Sequence, residues 1–517
     1  MRWLAYGLGL VCVLFAGLAV SAEGCSSHGA TLPPFDGSSM RTTGGSDSGA
    51  TGSQLVSDAG GSPILCSDLF DQTIVPAYSF EISADDWAKL DADFHDIKDV
   101  LAGNPPSTYY PITFHYGTET VTDAAVKLRG KSSWVNTVLY DTNPKMQLDI
   151  SFDQMNPKGK FHGVSTLRLE MPRDDWTFVN DRVGNNWLRK IGQAAPCSNS
   201  ATLTINGVYY GLYVSEGSVG SALLKDYFPH DFAGDLFKGG TEAQTNTTSP
   251  NWARLEALNA ARDIGTLQTL VDLPNTVLEW AAEAVVEDCD GYYGGSHNYY
   301  VYDQGTPGWL WIADHTDSAL EWAEVFTGVS YKEHPIYWWA GRVAPDPPGI
   351  DYLLVMNDAN WRAQYVNAIA TQVAKWDANE ISGWVSSWTA QIAGALAADP
   401  HKWATTAQSQ TAVASLQDMI KNRPVYLQSF VSCEQGNAAD ATDADGDGVP
   451  WCDDCDDANA TVHPGGPEIC GNHVDDNCNG VVDENCPGEM PGYPGQPDGG
   501  APGGSPSGGT PDGGVKG

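Results

Sequence analysis

The run from Asp288 to Trp322, DCDGYYGGSHNYYVYDQGTPGWLWIADHTDSALEW, constrains this chain more than any other. A helical pattern (Leu278, Ala281, Ala282, Val285) enters it and stops at Gly291. Tyr299 to Tyr302 and Trp309 to Ile312 are aromatic and β-branched, as strands require, and Asp303 to Gly308 between them is made of turn residues. Paired as a hairpin, the strands put Asn298 at the start of one beside Asp314 at the end of the other. Asp317 follows within one loop, and Asp290 enters from the helix side. Four oxygen-bearing side chains then gather at one end of a rigid hairpin, as a hard cation carrying phosphates needs. The plain alternative is a solvated acidic loop, because the chain holds 65 Asp and Glu against 27 Lys and Arg.

The elements around this hairpin are of two kinds. Upstream, period-two strands dominate: Tyr78 to Ile82, Tyr109 to Tyr116, Thr120 to Leu128, Met146 to Phe152 and Thr166 to Met171, then a hairpin about Asn206-Gly207 and a short strand at Leu236 to Lys238. Ser83 caps a helix carrying Trp87 and Leu90, and another helix spans about Arg182 to Ile191. From Trp252 helices take over, near Trp252–Ala261, Thr266–Val271, Asn275–Glu287, Ala359–Trp376, Glu380–Ala398 and Thr405–Gln428. Strands first and helices later predict an α+β fold with a sheet lobe and a helical lobe.

The two ends have other characters. Residues 1–24 read as a signal peptide, with Arg2, an apolar run from Leu8 to Val20 and a small-residue cleavage site at Val20-Ser21-Ala22. Cys25 then sits in a degenerate lipobox, so a lipid anchor there and simple secretion are both open. Residues 25–62 form a flexible linker, 63–432 the main domain, 433–486 a Cys- and Asp-rich module, and 487–517 a Pro/Gly-rich disordered tail. An extracellular or cell-envelope location follows, outside the cytosol where disulfides persist. A net charge of −38 disfavours nucleic acid and anionic membrane as partners, leaving Cys25 as the one expected membrane attachment. Cys433, Cys452, Cys455, Cys470, Cys478 and Cys486 suit three disulfides of unreadable connectivity. Cys66, Cys197 and Cys289 leave one core cysteine over unless Cys433 closes back, and a disulfide is the expected state of Cys289.

The module carries the most specific spacing. Asp443, Asp445 and Asp447, with Gly448 and then Asp454, follow the D-x-D-x-D-G loop in which alternate carboxylates converge on calcium. Asp475, Asn477, Asn479 and Asp483 repeat it in shorter form. No amphipathic helices flank the loops, so this is not an EF-hand pair. Arg129, one of the scarce basic residues, and the Ser132 hydroxyl lie at a strand end and Lys145 opens the next strand, a combination suited to phosphate or carboxylate. Glu216 is placed to orient Lys145, and Lys238, before Gly239-Gly240, is a weaker phosphate candidate.

The segments LRGKSSW, K-x-x-x-D-I-S-F, TLRLE, LTINGVYYGLYVSEG, LFKGG, HNYYVY and WIADHTDSALEW occur in the order found in the CotH (spore coat protein H) kinase-like proteins, which this chain resembles over about residues 75–430. That resemblance implies an atypical protein-kinase-like fold with an N-terminal sheet lobe and a C-terminal helical lobe. It implies transfer of the γ-phosphoryl of ATP, with Mg or Mn, to Ser of a secreted or envelope protein. Lys145 with Arg129 would meet the phosphates, Asp290 would be the base or the carboxylate that orients the substrate, and Asn298, Asp317 and Asp314 would hold the metal, in the order general to kinases. The family's W-D-x-D-x-x-[FW]-G run departs here: if Asp317 is its second acid, the first falls on His315, and Glu321 stands where Gly is common. A degenerate kinase fold serving calcium-dependent binding, adhesion or envelope and spore-coat assembly is therefore the alternative. The module (DCDD…PEICG…DDNCNGVVDENC) resembles thrombospondin type-3 repeats and the MopE-type metal-binding motif of secreted bacterial proteins.

Overall fold

The computed structural model describes residues 66–486 apart from 172, 174, 229, 231, 321–348, 473 and 480–481. The signal peptide, the linker with Cys25, the tail and the end of the acidic run at Glu321 lie outside the described residues.

The upstream strands close into a seven-stranded barrel rather than an open lobe. Its strands are β1 (Ala77–Glu81), β2 (Tyr110–Tyr116), β3 (Glu119–Leu128), β4 (Leu148–Ser151), β5 (Thr166–Glu170), β6 (Ser198–Ile205) and β7 (Val208–Gly217), in the order β1-β2-β3-β4-β5-β7-β6. All neighbours are antiparallel except β1 and β6, whose parallel pairing (Phe80 beside Ile205) shuts the barrel. Its inner rows are large and apolar: Phe80, Phe114, Val126, Leu148, Ile150, Leu167, Leu169, Leu203 and Tyr213 form one buried cluster. The turn joining β6 to β7 has Asn206 at φ 49° and Gly207 at φ 78°, the doubly positive geometry that favours Asn-Gly. A disulfide from Cys66 to Cys197 ties the entry of the chain to the start of β6.

Four shorter strands make a second sheet, in the order β11 (Trp309–Ala313), β10 (Tyr299–Asp303), β8 (Asp235–Lys238) and β9 (Glu242–Ala243). Both faces of this sheet are covered. Val301, Trp309, Trp311 and Phe237 pack into the large core built with the helix Leu273–Val286, while Tyr300, Tyr302, Leu310, Ile312 and Leu236 join a separate core with Leu224 and Phe228. Double burial explains why β10 and β11 are apolar throughout rather than alternating. The helices Ala359–Val373, Ala378–Ala398 and Thr406–Glu434 complete the large core through Tyr365, Ile369, Val385, Leu416, Ile420 and Leu427.

The expected α+β composition and most element boundaries agree with this architecture, with a closed barrel in the place of the expected sheet lobe. Arg129 follows the end of β3 at Leu128, as expected, but Ser132 to Trp134 open a helix, Ser132–Tyr140, instead of lying in a turn. Among the described residues no helix is long and apolar enough to cross a membrane. Disulfides Cys433–Cys452, Cys455–Cys478 and Cys470–Cys486 join the first, a set that belongs to an oxidising compartment. Cys289, expected to be bridged, is a buried free thiol whose Sγ faces the Ser318 carbonyl at 3.1 Å; every possible described partner is already paired.

Candidate functional site

The β10–β11 hairpin ends against the outer wall of the barrel. One row of residues crosses that wall: Lys127 on β3 pairs with Asp149 on β4, Asp149 with Arg168 on β5, and Arg168 with Glu216 on β7. The row alternates in sign, as cross-strand neighbours should. Arg168 leaves it to reach the hairpin, donating to Asp314 Oδ1 at 2.6 Å and to the Tyr300 hydroxyl at 2.9 Å. Lys238, at the end of β8 and in register with Tyr300, donates to the other Asp314 oxygen at 2.7 Å. Burial opposes the Asp314 charge, but Arg168 and Lys238 outweigh it and hold the carboxyl well below the usual range. Both of its oxygens accept from these cations, so in this structure Asp314 clamps the hairpin to the barrel.

Around this clamp stand the other hairpin-end groups. The Asp314 N–H donates to the Asn298 carbonyl at 2.8 Å, which continues the ladder one residue past Tyr299 and Ala313, as the spacing predicts. Asn298 adopts φ 42° and its amide donates to Asp290 Oδ2 at 2.6 Å. Burial and then the nearby Asp317 carboxylate raise the Asp290 pKa above its ordinary value. His315 and Asp317 project from the loop after β11 as an ion pair 3.0 Å apart. Burial works against the imidazolium, yet Asp317 outweighs it and raises the His315 pKa well above 6.5. Between them in sequence, Thr316 is fully buried and its side chain packs on Gly184.

One residue at this site carries no readable signal in the sequence. Asp181 sits in the first turn of the helix Asn180–Ile191, where an acid reads simply as favourable to the helix dipole. It is 1% exposed, its Oδ1 accepts the Thr316 N–H at 2.7 Å, and its Oδ2 has no protein partner. Burial, then Glu216 and Asp317, push its pKa well above the ordinary value. Glu216 accepts from the Asn185 amide at 2.8 Å and, largely through burial, is raised to about 7. Arg168 is likewise invisible as a site residue in the sequence, because an outward Arg in TLRLE reads as a solvated face.

Lys145 does not join this group. Its ammonium is fully buried and donates to Asp399 Oδ2 at 2.7 Å and to the Leu212 carbonyl, with the Tyr213 ring 4.5 Å away. Gly211, at φ 151°, makes room for that pair: a Cβ there would lie 2.7 Å from both Asp399 oxygens and 2.8 Å from Lys145 Nζ. Lys145 is thus a strut between the barrel and the end of the helix Ala378–Ala398, and Glu216 meets Asn185 rather than Lys145. Arg129 remains near the wall, bonded to Asp149 at 3.2 Å and to Glu170. Ser132 is exposed in its first helical turn.

The C-terminal module has a cation-shaped loop of its own. Asp443, Asp445 and Asp447 bring one oxygen each within 4.8 Å of one another. Asp443 accepts the Gly446 and Gly448 N–H groups at 2.7 and 2.9 Å, closing the loop. Asp445, Asp447 and Asp454 each keep one buried oxygen with no protein partner, which fits a hard cation bound by carboxylates. Asp457, not foreseen, lies beside the same loop and accepts the Ala444 N–H at 2.8 Å. In the second loop Asp475 accepts the Asn479 N–H at 3.1 Å, and the Asn477 and Asn479 amides both donate to Glu484 at 2.6 Å. Asp483, expected there, gives an oxygen to the Gly471 N–H at 2.7 Å, while Glu468 enters from PEICG to accept the Asn477 and Asp483 N–H groups. The module is fastened to the helices by the Cys433–Cys452 disulfide, by Trp451 packed on Tyr426 and Phe430, and by Arg362 bonded to Glu434 and Asp453.

Comparison with known families agrees with both halves. Residues 454–484 match the MopE-type metal-binding motif, and residues 126–427 match the family described as CotH kinase protein. No curated protein matches the chain. Since more than half of the 517 residues are matched, the chain belongs to the CotH kinase protein family.

Proposed function

We propose that this protein transfers the γ-phosphoryl group of ATP to a Ser hydroxyl of a secreted or cell-envelope protein, in a reaction that needs a divalent cation. The observation that supports this reading is the hairpin end, where Asn298 holds Asp290 at 2.6 Å with Asp317 nearby, and where the half-exposed Lys238 joins Arg168 on Asp314. In that reaction a bond forms between Ser Oγ and the γ-phosphorus as the bond to the bridging oxygen breaks, and the hydroxyl proton passes to Asp290. A carboxylate raised by burial and by Asp317 is suited to accept it. Lys238, with Arg168 behind it, takes the phosphate role that Lys145 cannot, and Asn298 holds Asp290 in line. The cation, when bound through Asp317 and the Asn298 side-chain oxygen, would neutralise charge on the phosphate oxygens.

A second reading keeps the fold and loses the chemistry. With Asp314 as the first acid of the family's W-D-x-D run, the second position falls on Thr316, buried against the Asn180–Ile191 helix. The protein would then bind and assemble, with calcium in its module. Incubating the full chain with ATP, Mg or Mn and a Ser-rich envelope protein decides between them. Phosphoserine formation abolished by Asp290→Asn and by Asp317→Asn supports transfer. No phosphoserine and no nucleotide-dependent change in Tm leaves the binding protein.

A further inference from the structure

Resting on that reading of the hairpin end, we infer that Asp181, His315 and Asp317 form a mixed imidazole–carboxylate site for a first-row transition-metal dication such as Mn2+, Co2+ or Zn2+, in preference to Mg2+ or Ca2+.

Three observations carry this. One oxygen of each carboxylate and one imidazole nitrogen lie within 4.8 Å of one another, close enough for a single ion to reach all three. Asp181 Oδ2 is buried without a protein partner, while Oδ1 is held by the Thr316 N–H at 2.7 Å. A carboxylate fixed on one oxygen and open on the other is how supporting hydrogen bonds present a metal ligand. The local charge is also unbalanced. Glu216, Asp290 and Asp288 lie around Asp181 and Asp317, and the neighbouring cations Arg168 and Lys238 are already spent on Asp314. His315, charged in its pair with Asp317, offsets these acids and gives up its proton to solvent when the ring ligates an ion; several buried acids around one imidazole are costly unless a cation is taken up.

The donor set then decides which ion. Mg2+ and Ca2+ favour all-oxygen shells, whereas an imidazole nitrogen favours later first-row ions in the Irving–Williams order. His315 therefore changes the selectivity of the site as well as its charge. The site is assembled from distant parts of the chain, since Asp181 comes from a helix packed on the barrel and the other two from the loop after β11. Gly184 permits this by leaving room for Thr316 against the helix.

The test uses the full chain stripped of metal and then saturated with Ca2+, so that the C-terminal loops are filled. Titration with Mn2+ and Co2+ should show one added ion per chain, and Co2+ should give a visible absorption band characteristic of nitrogen ligation. Mg2+ at the same concentration should fail to displace either ion. His315→Gln and Asp181→Asn should each weaken binding by at least about tenfold and remove the band. Far-UV circular dichroism establishes that the variants are folded, and should His315→Gln not fold, Asp181→Asn and Mg2+ competition on the wild-type chain decide the matter. Unchanged Mn2+ affinity in a folded variant, or equal competition by Mg2+, overturns the inference. The two proposals separate: metal bound without phosphoserine formation sinks the kinase reading alone, whereas phosphotransfer supported equally by Mg2+ in His315→Gln sinks this one alone.

Discussion

Gly184→Ala isolates the contact on which the geometry of the hairpin end depends. A Cβ built on Gly184 would lie 2.3 Å from Thr316 Oγ1, 2.7 Å from its Cβ and 3.1 Å from its Cγ2. Ordinary contacts between such atoms begin near 3.5 Å, so the Thr316 segment must retreat by about 1 Å. Overpacking of this kind costs about 1–3 kcal/mol, and replacing a helical glycine by alanine returns about 1 kcal/mol. The net loss of stability is therefore about 0–2 kcal/mol, small for a chain of this size. The functional loss should be much larger. Thr316 holds Asp181 through its N–H and is flanked by His315 and Asp317, so the whole cluster moves with it. A displacement of about 1 Å at a reacting or ligating centre costs on the order of 100-fold.

Thermal denaturation and metal titration on the same preparation read the two effects apart. Gly184→Ala should melt within a few degrees of wild type while losing metal affinity and phosphotransfer, and adding Thr316→Gly, which removes all three clashing atoms, should restore much of both. If Gly184→Ala instead melts higher than wild type and binds metal unchanged, Thr316 is not seated on the helix and the described geometry is wrong.

Three further outcomes follow from the same geometry. Lys145→Ala leaves the Asp399 charge buried and should cost about 3–5 kcal/mol in urea denaturation, whereas Lys145→Met with Asp399→Leu should recover most of it; a Lys145→Ala chain of native stability that has lost only nucleotide binding would return Lys145 to the active site. Calcium at about 100 times its Kd should stabilise the protein by about 2.7 kcal/mol, so EGTA should lower Tm in the wild type and have much less effect in Asp447→Asn or Asp454→Asn, and equal EGTA shifts in all three would remove calcium from the first loop. His162 lies between Asp68 at 2.7 Å and Glu119 at 2.9 Å; partial burial lowers its pKa, but the two carboxylates outweigh this and the net shift is upward. Its contribution is thus complete below its unfolded value of 6.5 and vanishes as pH rises through the folded value, so His162→Gln should cost up to about 1 kcal/mol near pH 5.5 and nothing near pH 9, and a cost that grows with pH refutes the pairing.

The legible parts of this fold are those fixed by neighbours in sequence. The β10–β11 hairpin is marked by two aromatic runs about a Gly/Pro turn, the β6–β7 turn by Asn206-Gly207, and the first helix by Ser83, whose side chain accepts the Asp86 N–H at 3.1 Å. The illegible parts are set by residues far apart. Barrel closure needs Phe80 beside Ile205, and no local pattern states that β1 runs parallel to β6. Lys145 opens a strand, as a phosphate lysine would; its burial is decided by Asp399, 254 residues on. Arg168 alternates outward from the barrel in the way a solvated arginine does, and only the arrival of Asp314 and Tyr300 gives it a task.

The one-residue ambiguity in the loop after β11 has a physical resolution that bears on function. Because the Asp314 N–H completes the ladder to Asn298, Asp314 is fixed as the last residue in register. Asp314 is then held by Arg168 and Lys238, and Thr316 packs on Gly184, while His315 and Asp317 come together with Asp181. Motif spacing would place an acid where Thr316 stands, yet Asp317 and Asp181 supply two carboxylates to the same region from other positions. The proposed site thus joins two carboxylates to an imidazole. That donor set predicts a choice of metal before it predicts a loss of catalysis, which makes the cation the first variable to control in any activity measurement.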